Sequence, residues 1–195
     1  MAVVPPETST EALADLKGRG IVGVSFNLPL LPPGYYERSE PLLDRLRSLD
    51  MFLQVQVEGD RLLEILPVIE AHGVKLLFDH CGRPVPDRGL DQPSFQALLA
   101  LGRRRRAAVK LSGFNKFSAA SHPFADTWRY VAALIDAFGL EACVWGSDWP
   151  FLRARERVDY GPLLQMIGDL LPDAAVRRAI LSETPRRLFG FGGAI

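Results

Sequence analysis

The chain has 195 residues, of which 48% are hydrophobic, and its 23 basic residues are balanced by 23 acidic ones. This length and composition suit one globular domain, residues 1–195, with a sizeable hydrophobic core. The balanced charge creates no field that would attract nucleic acid or an anionic membrane surface, so we expect neither as a partner.

Signals for export or membrane insertion are not recognised in the sequence. The first ten residues, MAVVPPETST, lack the basic and long apolar regions of a signal peptide, and no apolar run approaches the roughly 18–20 residues that span a bilayer. Cys81 and Cys143 share no metal-ligand spacing and form no disulfide framework. We therefore expect a cytoplasmic protein with no membrane segment.

Short apolar segments alternate along the chain with segments of helical spacing. Each apolar segment is bounded by turn residues, which is typical of parallel strands that are buried on both faces. The six predicted strands are residues 2–4, 21–27, 52–57, 74–80, 107–113 and 142–148.

The segments between the strands carry helix start and stop signals. Thr8 and Glu11 form a capping box before the first predicted helix, and Gly18 ends that helix. Pro185 is expected to break the last helical segment, because proline cannot donate a backbone hydrogen bond. The later predicted helices cover residues 61–73, 94–102, 123–139, 162–171 and 173–191.

Strands that alternate with helices and lack an intervening linker predict an α/β fold with a parallel sheet and right-handed crossovers. Two architectures fit this pattern, a doubly wound open sheet and a (β/α)₈ barrel, which usually needs about 250 residues and eight strands. Both architectures bind ligands at the carboxyl ends of the strands.

Polar residues collect at these predicted carboxyl ends. Buried polar groups are costly unless they have partners, so a repeated placement at one edge of the sheet indicates a site. The residues concerned are Asn27, Gln56, Glu58, Asp79, His80, Lys110, Ser112, Ser147, Asp148 and Trp149.

His80 and Asp148 are the most informative of these residues, and each has two interpretations. His80 is either a structural imidazole bonded to a backbone carbonyl or an active-site group, and the neighbouring Asp79 and Arg83 favour a site. Asp148 is either a turn-forming aspartate or a carboxylate that acts as general base or metal ligand. His72 and His122 lie at helix ends, and we interpret both as structural.

Three motifs then carry a family resemblance: FDHCGRP at 78–84, VKLSGF at 109–114 and VWGSDWP at 144–150. In this order and at these intervals they resemble the amidohydrolase-related family, most closely the branch that hydrolyses pyrone and sugar lactones. The resemblance implies an incomplete (β/α)₈ barrel of the TIM type with about six of its eight units. The first two strands, one of which carries an H-x-H pair in the family, are expected to be missing.

The resemblance also implies roles for particular residues in lactone hydrolysis. Asp148 is expected to activate the hydrolytic water as general base, and His80 is expected to polarise the scissile carbonyl. The residues expected to bind the substrate are Asn27, Arg83, Ser112, Lys116 and Trp149.

Departures from the family pattern bear on the cofactor and on the substrate. No H-x-H occurs, and no histidine follows the predicted strand at 52–57, which leaves His80 and Asp148 as the remaining metal ligands. Two ligands rarely hold zinc, so we expect no metal cofactor. Ser25 and Lys116 stand where arginines are common in the family, which favours a neutral or singly charged lactone over a dicarboxylate.

Two alternatives stay open at this point. One is a metal-dependent amidohydrolase or decarboxylase that a missing N-terminal segment completes. The other is an inactive fragment that associates through exposed sheet edges, for example as a homodimer, because unpaired strand edges are sites of pairing with another chain. The expected partner of an active protein is a small-molecule substrate.

Overall fold

The computed structural model describes residues 1–152 and 158–191, and its centre is a sheet of five parallel strands. The order of the strands in the sheet follows their order in the chain, as in the wall of a (β/α)₈ barrel. The strands are β1 Gly23–Asn27, β2 Phe52–Gln56, β3 Lys75–Phe78, β4 Ala107–Leu111 and β5 Cys143–Trp145.

Helices follow the strands and cover the outer face of the sheet. None of the helices in the described ranges is long and apolar enough to cross a bilayer. The helices are α1 Thr10–Gly18, α2 Glu40–Ser48, α3 Leu62–His72, α4 Pro93–Arg103, α5 Phe114–Phe117, α6 Trp128–Phe138, α7 Tyr160–Leu170, α8 Ala174–Arg178 and α9 Thr184–Phe189.

The segment 2–4, predicted as a strand, is not one, so the prediction of six strands is wrong by one. Only Ala2 pairs with β1, through an isolated parallel bridge to Val24. Pro5 and Pro6 follow, and because proline has no backbone N–H they cannot extend the ladder.

The start of α1 also differs from the predicted capping box. The N-cap is Ser9, whose hydroxyl accepts a hydrogen bond from the Ala12 amide at 3.3 Å. The Thr8 hydroxyl instead donates to the Pro5 carbonyl at 2.7 Å, so it closes the preceding turn. Gly18 is the last helical residue of α1 rather than the residue after it.

The C-terminal segment stays helical through the predicted break at Pro185. Between α8 and α9, residues Ala179–Glu183 form a π-helical turn, and Pro185 then lies in the first turn of α9. The first turn of a helix does not use the amide hydrogen that proline lacks, so Pro185 is accommodated without a break. The predicted helix 123–139 is shorter than expected, since a 3₁₀ turn over Ala125–Thr127 precedes α6.

The inner face of the sheet changes from apolar to polar along the strand direction. A small apolar cluster lies towards the amino ends and contacts Leu188 and Phe189 of α9; it comprises Phe52, Leu77, Ala108 and Val144. Two residues further along the same strands, Gln54 follows Phe52 and Lys110 follows Ala108 on this face, and Ser25 of β1 pairs in register with Gln54. The sheet therefore presents polar side chains where its strands end, above an apolar floor.

Candidate active site

A cavity of about 520 Å³ opens at the carboxyl ends of the strands. Six of the seven predicted site residues line it, and the seventh, Ser112, lies directly behind His80. The lining residues are Asn27, Pro29, Leu30, Gln56, Glu58, Asp79, His80, Arg83, Lys116, Asp148, Trp149, Pro150 and Leu152.

His80 is placed by an irregular turn that begins as β3 ends. The φ angles of His80, Cys81 and Arg83 are 49°, 55° and 42°, so three non-glycine residues adopt the left-handed conformation around Gly82. Such conformations are costly and cluster at functional sites. The turn directs the imidazole over the end of β4, where Gly113 leaves room for the ring.

The imidazole of His80 is buried between one hydroxyl and two carboxylates. Its Nδ1 lies 3.1 Å from the Ser112 hydroxyl oxygen. Its Nε2 lies 3.5 Å from Oδ2 of Asp79 and 3.6 Å from Oδ1 of Asp148. Because both carboxylates are acceptors, they favour a proton on Nε2, which makes this nitrogen a donor towards the cavity.

Burial lowers the pKa of His80 below its ordinary value of 6.5. The negative charges of Asp79 and Asp148 act in the opposite direction, but the loss of solvation is the larger effect. His80 is therefore a neutral imidazole at pH 7.

Asp148 lies opposite His80, in the turn that follows β5, and has a φ of 62°. Its Oδ2 is 3.1 Å from Nζ of Lys116, and its side chain is only 15% exposed. The same Nζ donates to the Leu152 carbonyl at 2.8 Å. Lys116 thus compensates the charge of Asp148 and holds its carboxylate beside His80.

A buried network of Ser25, Gln54, Asp79 and Lys110 supports the site from below. The Gln54 amide nitrogen donates to the Ser25 hydroxyl at 3.1 Å and to Asp79 Oδ2 at 3.0 Å. The Lys110 ammonium donates to the Gln54 carbonyl oxygen at 2.5 Å and lies 3.3 Å from Asp79 Oδ1. The network fixes the carboxylate that flanks Nε2 of His80.

Gln54 is a site-supporting residue that the sequence analysis missed. Gln54 stands two residues before Gln56 in the segment FLQVQV, and side chains two residues apart in a strand share a face. This two-residue spacing of polar side chains is the sequence pattern that predicts a polar inner face.

The other predicted binding residues lie at the side and mouth of the cavity. Nη2 of Arg83 is 3.2 Å from Oε1 of Glu58, so this guanidinium is ion-paired. The Asn27 side-chain oxygen accepts a hydrogen bond from the Ser25 hydroxyl at 3.0 Å. Trp149 is 73% exposed and stands at the mouth.

His72 and His122 do not line this cavity. Nδ1 of His72 lies 2.9 Å from Oδ1 of Asp44, on the helical layer outside the sheet. Nε2 of His122 lies 3.4 Å from the carbonyl oxygen of Pro162.

The sequence predicts that the site holds no metal ion, and this stays a prediction. Within residues 1–152 and 158–191, no group of three or more His, Cys, Asp or Glu side chains is arranged to hold one. The cation that Asp148 contacts in this structure is the Lys116 ammonium, 3.1 Å from Oδ2.

The chain belongs to the amidohydrolase family, because the sequence model of that family matches residues 1–191. This confirms the resemblance that the three sequence motifs indicated.

Two curated relatives are similar in sequence over nearly the whole chain. A 4-sulfomuconolactone hydrolase of Rhizobium radiobacter is 31% identical over 191 residues, which cover 94% of this chain and 62% of the relative. A D-galactarolactone isomerase of Agrobacterium fabrum is 30% identical over 194 residues, which cover 97% of this chain and 65% of the relative. The chain thus spans less than two thirds of the length of these relatives.

Solved structures show the same fold. A protein from Pseudomonas putida assigned as a 2-pyrone-4,6-dicarboxylic acid hydrolase has a TM-score of 0.86 at 29% identity. One from Acinetobacter baumannii with the same assignment, solved with citric acid bound, has a TM-score of 0.88 at 27% identity. Each comparison covers 98% of this chain and 72% of the solved one. The fold is therefore that of an amidohydrolase (β/α)₈ barrel over the part that this chain contains.

Proposed function

We propose that this chain carries the catalytic face of a lactone hydrolase, with Asp148 as general base and His80 as the group that polarises the lactone carbonyl. The main observation in support of this proposal is that Asp148, His80 and Lys116 lie together in one cavity at the carboxyl ends of the strands. The relatives whose names specify lactones support this substrate class.

The proposed reaction is the addition of water to the ester bond of the ring. Asp148 takes a proton from water as the water oxygen bonds to the carbonyl carbon, and Nε2–H of His80 donates to the carbonyl oxygen as it gains charge. Collapse of this intermediate breaks the bond between the carbonyl carbon and the ring oxygen. The released alkoxide takes the proton from Asp148, which gives the hydroxy acid.

The protonation state of His80 suits this role. A neutral imidazole is an effective donor only from the nitrogen that carries the proton. The Ser112 hydroxyl, 3.1 Å from Nδ1, can donate to that nitrogen and leave the proton on Nε2. Arg83 and Asn27 are proposed to orient the lactone from the side of the cavity, and Trp149 from its mouth.

The proposed partners are a small lactone and, through the sheet edge, a second copy of the chain. In the sheet, β5 has one neighbouring strand, so its other edge is open to pairing within the described part of the chain. Analytical ultracentrifugation tests the second partner, and a monomer at micromolar concentration would contradict edge pairing.

The catalytic proposal is tested with Asp148→Asn and His80→Gln on a panel of γ- and δ-lactones, assayed by acid release. Asp148→Asn is expected to lower turnover by about 10²–10⁴-fold and His80→Gln by about 10²–10³-fold. Asp44→Asn is the matched control, because Asp44 also faces a histidine but lies outside the cavity. Its turnover is expected to equal that of the unaltered chain.

Water labelled with oxygen-18 distinguishes hydrolysis from isomerisation, since only hydrolysis places the label in the product carboxylate. Unchanged turnover in both Asp148→Asn and His80→Gln would end the proposal, as would an unaltered chain that opens none of the lactones.

A further inference from the structure

The mouth of the cavity is an apolar rim formed by Leu30, Trp149 and Leu152. These side chains are 49%, 73% and 69% exposed, and Trp149 is the most exposed large apolar side chain in the described part of the chain. Exposed apolar groups that converge on one concave site indicate a surface built for an apolar ligand.

The rim is fixed to the catalytic groups by the backbone. Trp149 directly follows Asp148, and its amide donates to the Ser147 hydroxyl at 3.2 Å. The carbonyl of Leu152 accepts from Lys116 at 2.8 Å, and Lys116 is the partner of Asp148.

The third rim residue is held from another side of the cavity. Leu30 ends a 3₁₀ turn, Leu28–Leu30, and Arg61 donates to the carbonyls that flank it, at Leu28 and Leu31. The apolar groups are thus held on both sides of the position where the lactone ring would sit.

Within the described part of the chain, the cavity below the rim is lined by three carboxylates, of Glu58, Asp79 and Asp148, and by two cations. Among the described residues, the two cations that line the cavity are both ion-paired, Arg83 with Glu58 and Lys116 with Asp148. A doubly charged substrate would have to compete with these carboxylates for its partners, whereas an uncharged ring would leave both pairs intact.

We infer that the substrate class is an uncharged lactone that carries an apolar alkyl or aryl substituent, which the rim of Leu30, Trp149 and Leu152 contacts while the ring lies over Asp148 and His80. This inference rests on the proposed lactone chemistry. The volume of about 520 Å³ lies in the range of small-molecule sites, so it accommodates the ring and a substituent of several carbons.

Binding and turnover are measured separately to test it. For binding, calorimetry uses δ-valerolactam bearing either a hexyl or a carboxymethyl group, since lactams resist opening on this timescale. The hexyl lactam is expected to bind at least about tenfold more tightly, as burying two methylene groups suffices for that ratio. For turnover, the corresponding lactones are compared by kcat/KM.

Trp149→Ala and Leu152→Ala should each reduce the hexyl preference by about three- to tenfold, since each removes contact area from the rim. Leu63→Ala is the matched control, because Leu63 is also an exposed leucine, 42% exposed, but lies on α3 away from the cavity. Its preference is expected to stay unchanged.

The outcomes separate the two proposals. Tighter binding of the carboxymethyl lactam, or a hexyl preference that survives both rim variants, would overturn the inference. Turnover of carboxylated lactones alone would also overturn it while supporting the proposed hydrolysis. Selective binding of the hexyl lactam without turnover of any lactone would support the apolar rim and contradict the hydrolysis.

Discussion

Gly113 packs so closely against His80 that a β-carbon at position 113 would lie 2.6 Å from Nδ1 of the imidazole. The same carbon would lie 2.9 Å from Cβ of His80, so the conflict involves the root of the side chain as well as the ring. Gly113 also has a φ of 65°, which L-residues adopt at a cost. The glycine of the motif VKLSGF is thus what allows His80 to reach Ser112 and the cavity.

Gly113→Ala is therefore expected to displace His80 and to abolish the proposed lactone turnover. The overpacking should lower the free energy of unfolding by about 1–3 kcal/mol, in addition to the backbone strain. Urea denaturation and the lactone assay measure the two effects.

Gly190→Ala is the matched control for backbone strain. Gly190 has nearly the same conformation, with φ 69° and ψ 27°, but a β-carbon there would meet no atom of the described residues within 4 Å. The difference in unfolding free energy between the two variants isolates the contact with His80. If both variants lowered the free energy of unfolding equally, the contact between position 113 and His80 would carry no energetic cost, which would contradict the prediction.

Burial of neutral His80 makes stability depend on pH in a defined direction. The folded-state pKa lies below the ordinary value of 6.5, so between those two values the unfolded chain binds a proton that the folded chain does not. The stability of the unaltered chain should thus fall, relative to His80→Gln, as the pH drops below about 6.5. Above that pH, the difference in unfolding free energy between the unaltered chain and His80→Gln should be constant. Urea titrations from pH 5 to 8 measure it, and a difference that is level over the whole range would contradict the lowered pKa.

Much of the fold could be predicted from the sequence because buried parallel strands leave a strong signal. Five of the six predicted strands are present, each shorter than predicted: β1 begins two residues later, and the other four end one to three residues earlier. Helix α2 was not predicted; its nine residues, EPLLDRLRS, include four charged ones, so its apolar stripe is narrow. The predicted helix break at Pro185 was wrong because a π-helical turn, which depends on tertiary packing, places Pro185 in the first turn of α9.

The residues of the candidate site were easier to predict than their environment. Strand-end position alone brought His80, Asp148 and Asn27 to one cavity. The contacts between these side chains could not be predicted from the sequence. Examples are the contact of Lys116 with Asp148 and the link that Gln54 forms between Ser25 and Asp79. Such contacts join residues tens of positions apart, and their distances depend on sheet register.

The ion pair between Lys110 and Asp79 should contribute more to the free energy of unfolding than an exposed pair does, because it is largely buried. Their atoms are 3.3 Å apart, and the Asp79 side chain is only 8% exposed. Lys110→Met leaves that carboxylate without its cation and should cost about 1–3 kcal/mol of unfolding free energy. A double-mutant cycle with Asp79→Asn is expected to give a coupling energy of about 0.5–3 kcal/mol.

The pair between Lys75 and Asp50 serves as the control for this cycle. Its atoms are closer, at 2.6 Å, but the side chains are 49% and 70% exposed. Solvent screening should limit its coupling to about 0–1 kcal/mol. If the exposed pair coupled as strongly as the buried one, burial would not be the source of the stabilisation at Asp79.

Two helical glycines should respond in opposite ways to alanine. Gly168 lies inside α7, where a β-carbon would meet nothing within 4 Å in the part of the chain that the structure describes. At Gly102 in α4, a β-carbon would lie 2.4 Å from the ring of Phe138. Gly168→Ala should raise the free energy of unfolding by about 0.5–1 kcal/mol, because alanine loses less backbone entropy on folding. Gly102→Ala should lower it by about 1–3 kcal/mol, since Phe138 is held in the core between α4 and α6. Thermal and urea unfolding measure both changes, and a destabilised Gly168→Ala would show that α7 has a neighbour at this position in solution.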